Sequence, residues 1–106
     1  TRVWTEKKKA DGKVEVSSRA LGMEAVEKLI RDRNLRPVYD ERTGQNYVEY
    51  ETEEGRHRIW IEDETSIRAR AELARKYRLA GVATWQRGFQ KPGIWQALHD
   101  ALEARP

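Results

Sequence analysis

The run Leu79-Ala80-Gly81-Val82-Ala83-Thr84-Trp85 constrains this chain more than any other feature. It is apolar, rich in small residues, and does not alternate with polar ones. That is how a β-strand covered on both faces reads, the kind found in parallel sheets. One parallel strand leaves its own backbone ladder unsatisfied, and no second stretch reads this way. Either the segment joins an antiparallel sheet, or its ladder partners lie in a longer protein.

Size narrows the choice. The chain has 106 residues, enough for one domain and not for two. Hydrophobic residues are 38% and charged residues 37%, which predicts a thin core under a heavily solvated skin. No stretch approaches the roughly 20 apolar residues of a membrane helix, so no membrane partner is expected. The start, Thr1-Arg2-Val3-Trp4, does not read as a signal peptide. With no cysteine, disulfide frameworks, thiol nucleophiles and thiolate zinc sites are excluded. The isoelectric point is near 9.3, but Lys7-Lys8-Lys9 is the only pure basic run. Elsewhere Lys and Arg alternate with Glu, as in Glu24, Glu27, Lys28 and Arg31, the pattern of a solvated helix face. No nucleic-acid partner is expected.

The first half reads as α+β. An extended opening leads to a turn at Asp11-Gly12 and a short strand over 13–16. Ser17 and Ser18 are candidate caps for a helix over about 20–33, with Met23, Val26 and Ile30 on one stripe. Asn34 and Pro37 mark its end. Strands are expected over 37–40, 45–51 and 56–62, joined by turns at Gly44 and Gly55. In the last of them His57, Ile59 and Ile61 take one side, and Arg58, Trp60 and Glu62 the other. The expectation is a small antiparallel sheet packed on one helix.

The second half reads as helix, strand, helix. Asp63 and Thr65 announce a helix over about 66–77, with Ile67, Ala71 and Ala74 inward and Leu73 and Tyr77 beside them. The strand at 79–85 follows. A last helix begins near Pro92 and Gly93 and carries Ile94, Trp95, Leu98 and Leu102 at helical spacing, with Trp95 read as a core anchor.

Chemistry-bearing motifs are few. There is no Gly-x-Gly-x-x-Gly and no P-loop, so no cofactor is expected. His57 and His99 sit in different elements without companion ligands, so no metal site is expected. Glu62-Asp63-Glu64 could pair carboxylates for acid/base work, but Asp63 as a helix cap and Glu64 at the helix's positive N-terminus explain the cluster better. Trp85 is the sharper signal. It ends a buried strand, before the polar loop Gln86-Arg87-Gly88, where α/β folds place ligands. A flat indole there suits the C–H face of a sugar, with closure of a core as the alternative.

Two segments carry a resemblance. The stretch Ile59-Trp60-Ile61-Glu62-Asp63-Glu64-Thr65-Ser66-Ile67, followed a helix later by Leu79-Ala80-Gly81-Val82-Ala83-Thr84-Trp85-Gln86-Arg87-Gly88-Phe89, resembles the tail of glycoside hydrolase family 18. It is closest to the bacterial spore-cortex and cell-wall branch, related to chitinases. The opening Thr1-Arg2-Val3-Trp4 resembles the end of that family's seventh barrel strand. The resemblance implies a C-terminal fragment of a (β/α)8 barrel. Residues 1–63 would be the end of strand seven and an α+β insertion subdomain, and 64–106 helix seven, strand eight and helix eight. It implies hydrolysis of N-acetylglucosamine-containing polysaccharide, chitin or peptidoglycan, by a substrate-assisted retaining route. It implies sugar contacts for Trp85, and for Arg2 and Trp4 at the cleft edge. The parent would be extracellular, in the cell envelope, or spore-associated. The family's Asp-x-x-Asp-x-Asp-x-Glu motif is absent, so no residue here inherits the catalytic acid, and the fragment alone is expected to be inactive. An orphaned barrel piece would expose apolar edges and could pair as a homodimer. The alternative reading is an independent carbohydrate-binding or interaction module with Tyr47, Tyr50 and Trp60 as its platform.

Overall fold

The computed structural model describes residues 1–104. Five strands form one antiparallel sheet: β1 (Arg2–Lys8), β2 (Val14–Ala20), β3 (Val38–Asp40), β4 (Gln45–Thr52) and β5 (Gly55–Ile61), in the order β2-β1-β5-β4-β3. Three helices accompany it: α1 (Met23–Asp32), α2 (Glu64–Lys76) and α3 (Gly93–Glu103). The α+β class and the antiparallel sheet are those expected from the sequence.

The opening differs from expectation. Residues 2–20 form a long hairpin, with Arg2 opposite Ala20 and Lys8 opposite Val14. Ser17 and Ser18 pair with Thr5 and Trp4 and cap nothing; α1 begins at Met23 after Gly22, without a side-chain cap. The reason is non-local. Seven paired residues on β1 outweigh the one or two orphan N–H groups that a serine cap would satisfy. Gly12, at φ 83°, turns the hairpin, and Lys13 N–H donates to Asp11 Oδ1 at 2.9 Å.

Strand alternation then sorts the sheet into two faces. Val3, Val48, Ile59 and Ile61 point to α1 and bury with Val26, while Leu21, Leu29, Ile30, Leu35 and Tyr50 pack around them. His57 is buried on the same side. Its Nδ1 lies 2.8 Å from Thr5 Oγ1, its Nε2 2.6 Å from Thr52 Oγ1, and its ring stacks on Tyr50 at 4.7 Å. Helix α1 ends as the sequence suggests. Asn34 takes φ 52°, its N–H bonds Arg31 O, and Leu35 N–H bonds Ile30 O. Helix α2 ends the same way, with Arg78 at φ 52°.

The second half is thinner. α2 and α3 meet through small residues, Ala71 and Ala74 against Ile94, Ala97 and Ala101, which lets their backbones come close. Trp95, expected as a core anchor, is 47% exposed. The alanine stripe holds the contact, and the indole lies about one helical step off it. The strand expected over Leu79–Trp85 is not formed; the segment is an exposed connector that joins no ladder. A strand exists only through its neighbours, and here the sheet edges are β2 and β3, both elsewhere. The chain is accordingly extended. Its radius of gyration is 16.1 Å, where a compact chain of this length would have about 13 Å.

Contacts from the 89–91 loop help tie the halves together. Met23 N–H donates to Phe89 O at 2.8 Å, with Gly22 lying against the Phe89 backbone. Lys91 Nζ donates to Glu64 Oε2 at 2.9 Å and pairs with Glu27 of α1. Burial alone would push the Glu64 carboxyl up, but the Lys91 hydrogen bond, a backbone N–H and the Lys91 charge hold it below the usual value of 4.5. Burial likewise opposes the Lys91 charge, and the two glutamates outweigh it, raising Lys91 above 10.5. A depressed carboxylate stabilises above its unfolded value and loses that as pH falls; a raised lysine stabilises below its own and loses that as pH rises. Lys91→Met is therefore expected to cost about 1 kcal/mol at neutral pH. In urea titrations its deficit against the parent should shrink below pH 4.5 and above pH 10.5.

Candidate functional site

The end of β5 is where the two halves converge. Glu62 follows Ile61, and its carboxylate is fully engaged: Oε1 accepts from Gln45 Nε2 at 2.5 Å, Oε2 from Ser66 Oγ at 2.8 Å, and Arg70 pairs with it. Its N–H donates to Thr1 Oγ1 at 3.0 Å. Asp63 is the cap of α2. Its Oδ1 accepts from Ser66 N–H at 3.2 Å, Ser66 Oγ accepts from Asp63 N–H at 3.1 Å, and Oδ2 accepts from Asn46 Nδ2 at 2.8 Å. Glu64 is held by Lys91. All three acidic residues thus hold structure together. The capping explanation of Glu62-Asp63-Glu64 accounts for the cluster.

Beside Glu62 opens a cleft of about 330 Å³. Thr1, Glu62 and Arg70 supply polar groups; Met23, Ile67, Ile94 and Phe89 supply an apolar wall; Ala83, Thr84, Trp85 and Gln90 close it from the loop side. Trp85 is 88% exposed, so its indole closes no core. Gln90 Oε1 is buried without a hydrogen-bond partner. Apolar surface with a few convergent polar groups is the make-up of a small-molecule site.

Of the residues singled out in the sequence, Trp85 is in this cleft and Arg2 and Trp4 are not among its lining. Arg2 Nε donates to Ser18 Oγ at 3.1 Å, and its guanidinium lies 5.9 Å from the Trp4 ring. Trp4 sits on the open face of the sheet. Tyr47 and Trp60 share that face, whereas Tyr50 points to α1, so the three do not form one platform. Arg70 and Gln90 join the cleft unannounced. Arg70 reads in sequence as one more charge on a helix, and Gln90 as loop. Among the described residues no group of three His, Asp or Glu side chains comes together as a metal site. No described helix is long and apolar enough to cross a membrane.

No family model matches the chain. Two curated relatives from Bacillus subtilis (strain 168) do. Uncharacterized glycosylase YvbX is 25% identical over 71 residues, 66% of this chain and 21% of the relative. Cortical fragment-lytic enzyme is 32% identical over 74 residues, 68% of this chain and 17% of the relative. The chain therefore spans about a fifth of the length of the curated relatives it matches. Among solved structures, the spore cortex-lytic enzyme SleL of Bacillus megaterium QM B1551 superposes with a TM-score of 0.77 at 26% identity, over 96% of this chain and 23% of that one. A chitinase of Chromobacterium violaceum ATCC 12472 gives 0.76 at 24% identity, over 97% and 31%, and supports the fold. The chain is thus similar in sequence to part of a glycosylase and of a cortical fragment-lytic enzyme, and in fold to part of the spore cortex-lytic enzymes and chitinases.

Proposed function

We propose that this chain is part of a glycosidase acting on N-acetylglucosamine-containing polysaccharide, in spore cortex, peptidoglycan or chitin, and that Trp85 forms the floor of its sugar site. The observation that carries the reading is the nearly uncovered Trp85 indole at a cleft whose other walls hold Thr1, Arg70 and Gln90. A pyranose offers a C–H face to an aromatic ring and hydroxyls at its rim. The relatives' names, which speak of cortex lysis and chitinase, favour the same substrate class.

In this reading residues 1–63 are the end of a barrel strand with its insertion subdomain, and 64–106 are helix seven, strand eight and helix eight. Leu79–Trp85 would gain its ladder from strands the chain does not contain. Such a partner also explains why Leu79, Val82 and Trp95 stand exposed. The reaction would be substrate-assisted and retaining, the acetamide attacking while an acid outside this chain protonates the leaving oxygen. The chain's share is to bind and orient the sugar. Alone it hydrolyses nothing, and its uncovered apolar residues give it a reason to pair with a second copy. The parent would work in the cell envelope or at the spore.

The test uses the chain with N-acetylglucosamine oligomers. Binding should quench or shift tryptophan fluorescence, and Trp85→Ala should weaken it tenfold or more, about 1.4 kcal/mol. Undiminished binding by Trp85→Ala, or turnover of a chromogenic chitobioside by the chain itself, would contradict the proposal.

A further inference from the structure

Helix α1 covers one face of the sheet and leaves the other open. Alternation sends Trp4, Arg58, Trp60 and Tyr47 to that open face, because their neighbours Val3, Ile59, Ile61 and Val48 point inward. Tyr47 and Trp60 are directly opposite in register, with ring centroids 5.0 Å apart and planes tilted by 47°. Tyr47 Oη donates to Glu49 Oε2 at 2.8 Å, which fixes the phenol. Burial, then that hydrogen bond, keeps the hydroxyl protonated above the usual range for tyrosine. Arg58 Nε lies 2.9 Å from Glu6 Oε1 but out of line for a hydrogen bond, so its buried N–H has no aligned acceptor. With Val38, Tyr39 and Asp40 of β3, the side chains of Tyr47, Glu49, Arg58 and Trp60 line an open hollow of about 400 Å³ that shares no residue with the Trp85 cleft.

We infer that this hollow is a second glycan site, which seats the C–H face of a neutral pyranoside on the Trp60–Tyr47 pair and meets its hydroxyls with Glu49 and Arg58. Three observations select this occupant. The aromatic pair contributes nothing to the core, which lies on the sheet's other face. Charges of both signs stand in the walls, where the centre of a protein interface would be depleted of them. A ring pair already held by a hydrogen bond loses little freedom when a ligand arrives. The choice of a glycan rests on the function proposed above, but the site itself is separate.

The four indole N–H signals in a ¹⁵N-resolved spectrum report the two sites independently. With N-acetylglucosamine tetramer as the probe, the Trp60 signal and the Tyr47 and Glu49 amides should shift saturably, and should still do so in Trp85→Ala. Trp60→Ala should abolish the shifts over β4 and β5 and leave the Trp85 response intact. Glu49→Gln, an exposed change that spares the sheet, should weaken the Trp60 response severalfold; the sugar-free spectrum of each variant reports its fold. If Trp85 responds and Trp60 does not, the second site is overturned and the function stands. If Trp60 responds and Trp85 does not, the second site stands and the Trp85 reading falls. Silence at both overturns both.

Discussion

Ile59→Ala is expected to remove about 3 to 4 kcal/mol of stability, the upper part of the range for truncating a buried isoleucine. Ile59 is 0% exposed and sits on the central strand β5, between Val3 of β1 and Val48 of β4. It has Val26 of α1 above it in the same cluster. The sheet is pinned on both sides, so the site cannot collapse to fill the void. A domain this small has on the order of 5–15 kcal/mol in total, so one side chain accounts for a large share. Urea denaturation followed by circular dichroism should show the midpoint falling sharply with an unchanged slope, and Ile59→Val should lose about 1 kcal/mol. A cost for Ile59→Ala no greater than that of Val38→Ala, which trims an exposed side chain, would show that this cluster is not the core.

Gly55→Ala should be as severe, for a different reason. Gly55 opens β5 at φ 130°, and a Cβ there would lie 2.1 Å from Glu6 O, 3.0 Å from Glu6 C and 3.2 Å from Lys7 Cα. All three are backbone atoms of β1, so no side chain can swing aside. Relief requires the β1–β5 seam to part, on top of a left-handed conformation that alanine resists. We expect a loss of about 3 kcal/mol or more, read as a lowered melting temperature. Gly12→Ala is the control. It also has positive φ, at 83°, but a Cβ there meets nothing within 4 Å, so only about 1–2 kcal/mol of conformational strain should appear. Equal costs at the two glycines would refute the close-approach argument.

The contrast between what the sequence announced and what it hid follows the range of the interactions. Local signals held: Asp63 caps α2, Asn34 closes α1, and His57, Ile59 and Ile61 face inward by simple alternation. Signals that depend on a distant partner did not. Ser17 and Ser18 look like caps from their neighbours alone, and only their pairing with Thr5 and Trp4, more than ten residues away, makes them strand. Leu79–Trp85 has the composition of a buried strand and adopts none, because composition states a preference and a ladder needs a neighbour. In the cleft, Trp85 was legible because an indole before a Gly-containing loop is unusual. Arg70 and Gln90 were not, since a charged helix residue and a loop glutamine are common and only the meeting of α2 with the 86–90 loop brings them into one cleft.

Strand β2 lies at the rim of the sheet, and Val14 and Val16 stand exposed along it. A bare hydrophobic rim invites fibril growth, one copy stitching onto the next. Glu15 and Arg19 interrupt the run, and Lys7, Lys8 and Lys9 cluster at its tip. Stacking identical molecules in register would bring those like charges face to face, so the lysine-rich tip acts as a gatekeeper against amyloid-style polymerisation.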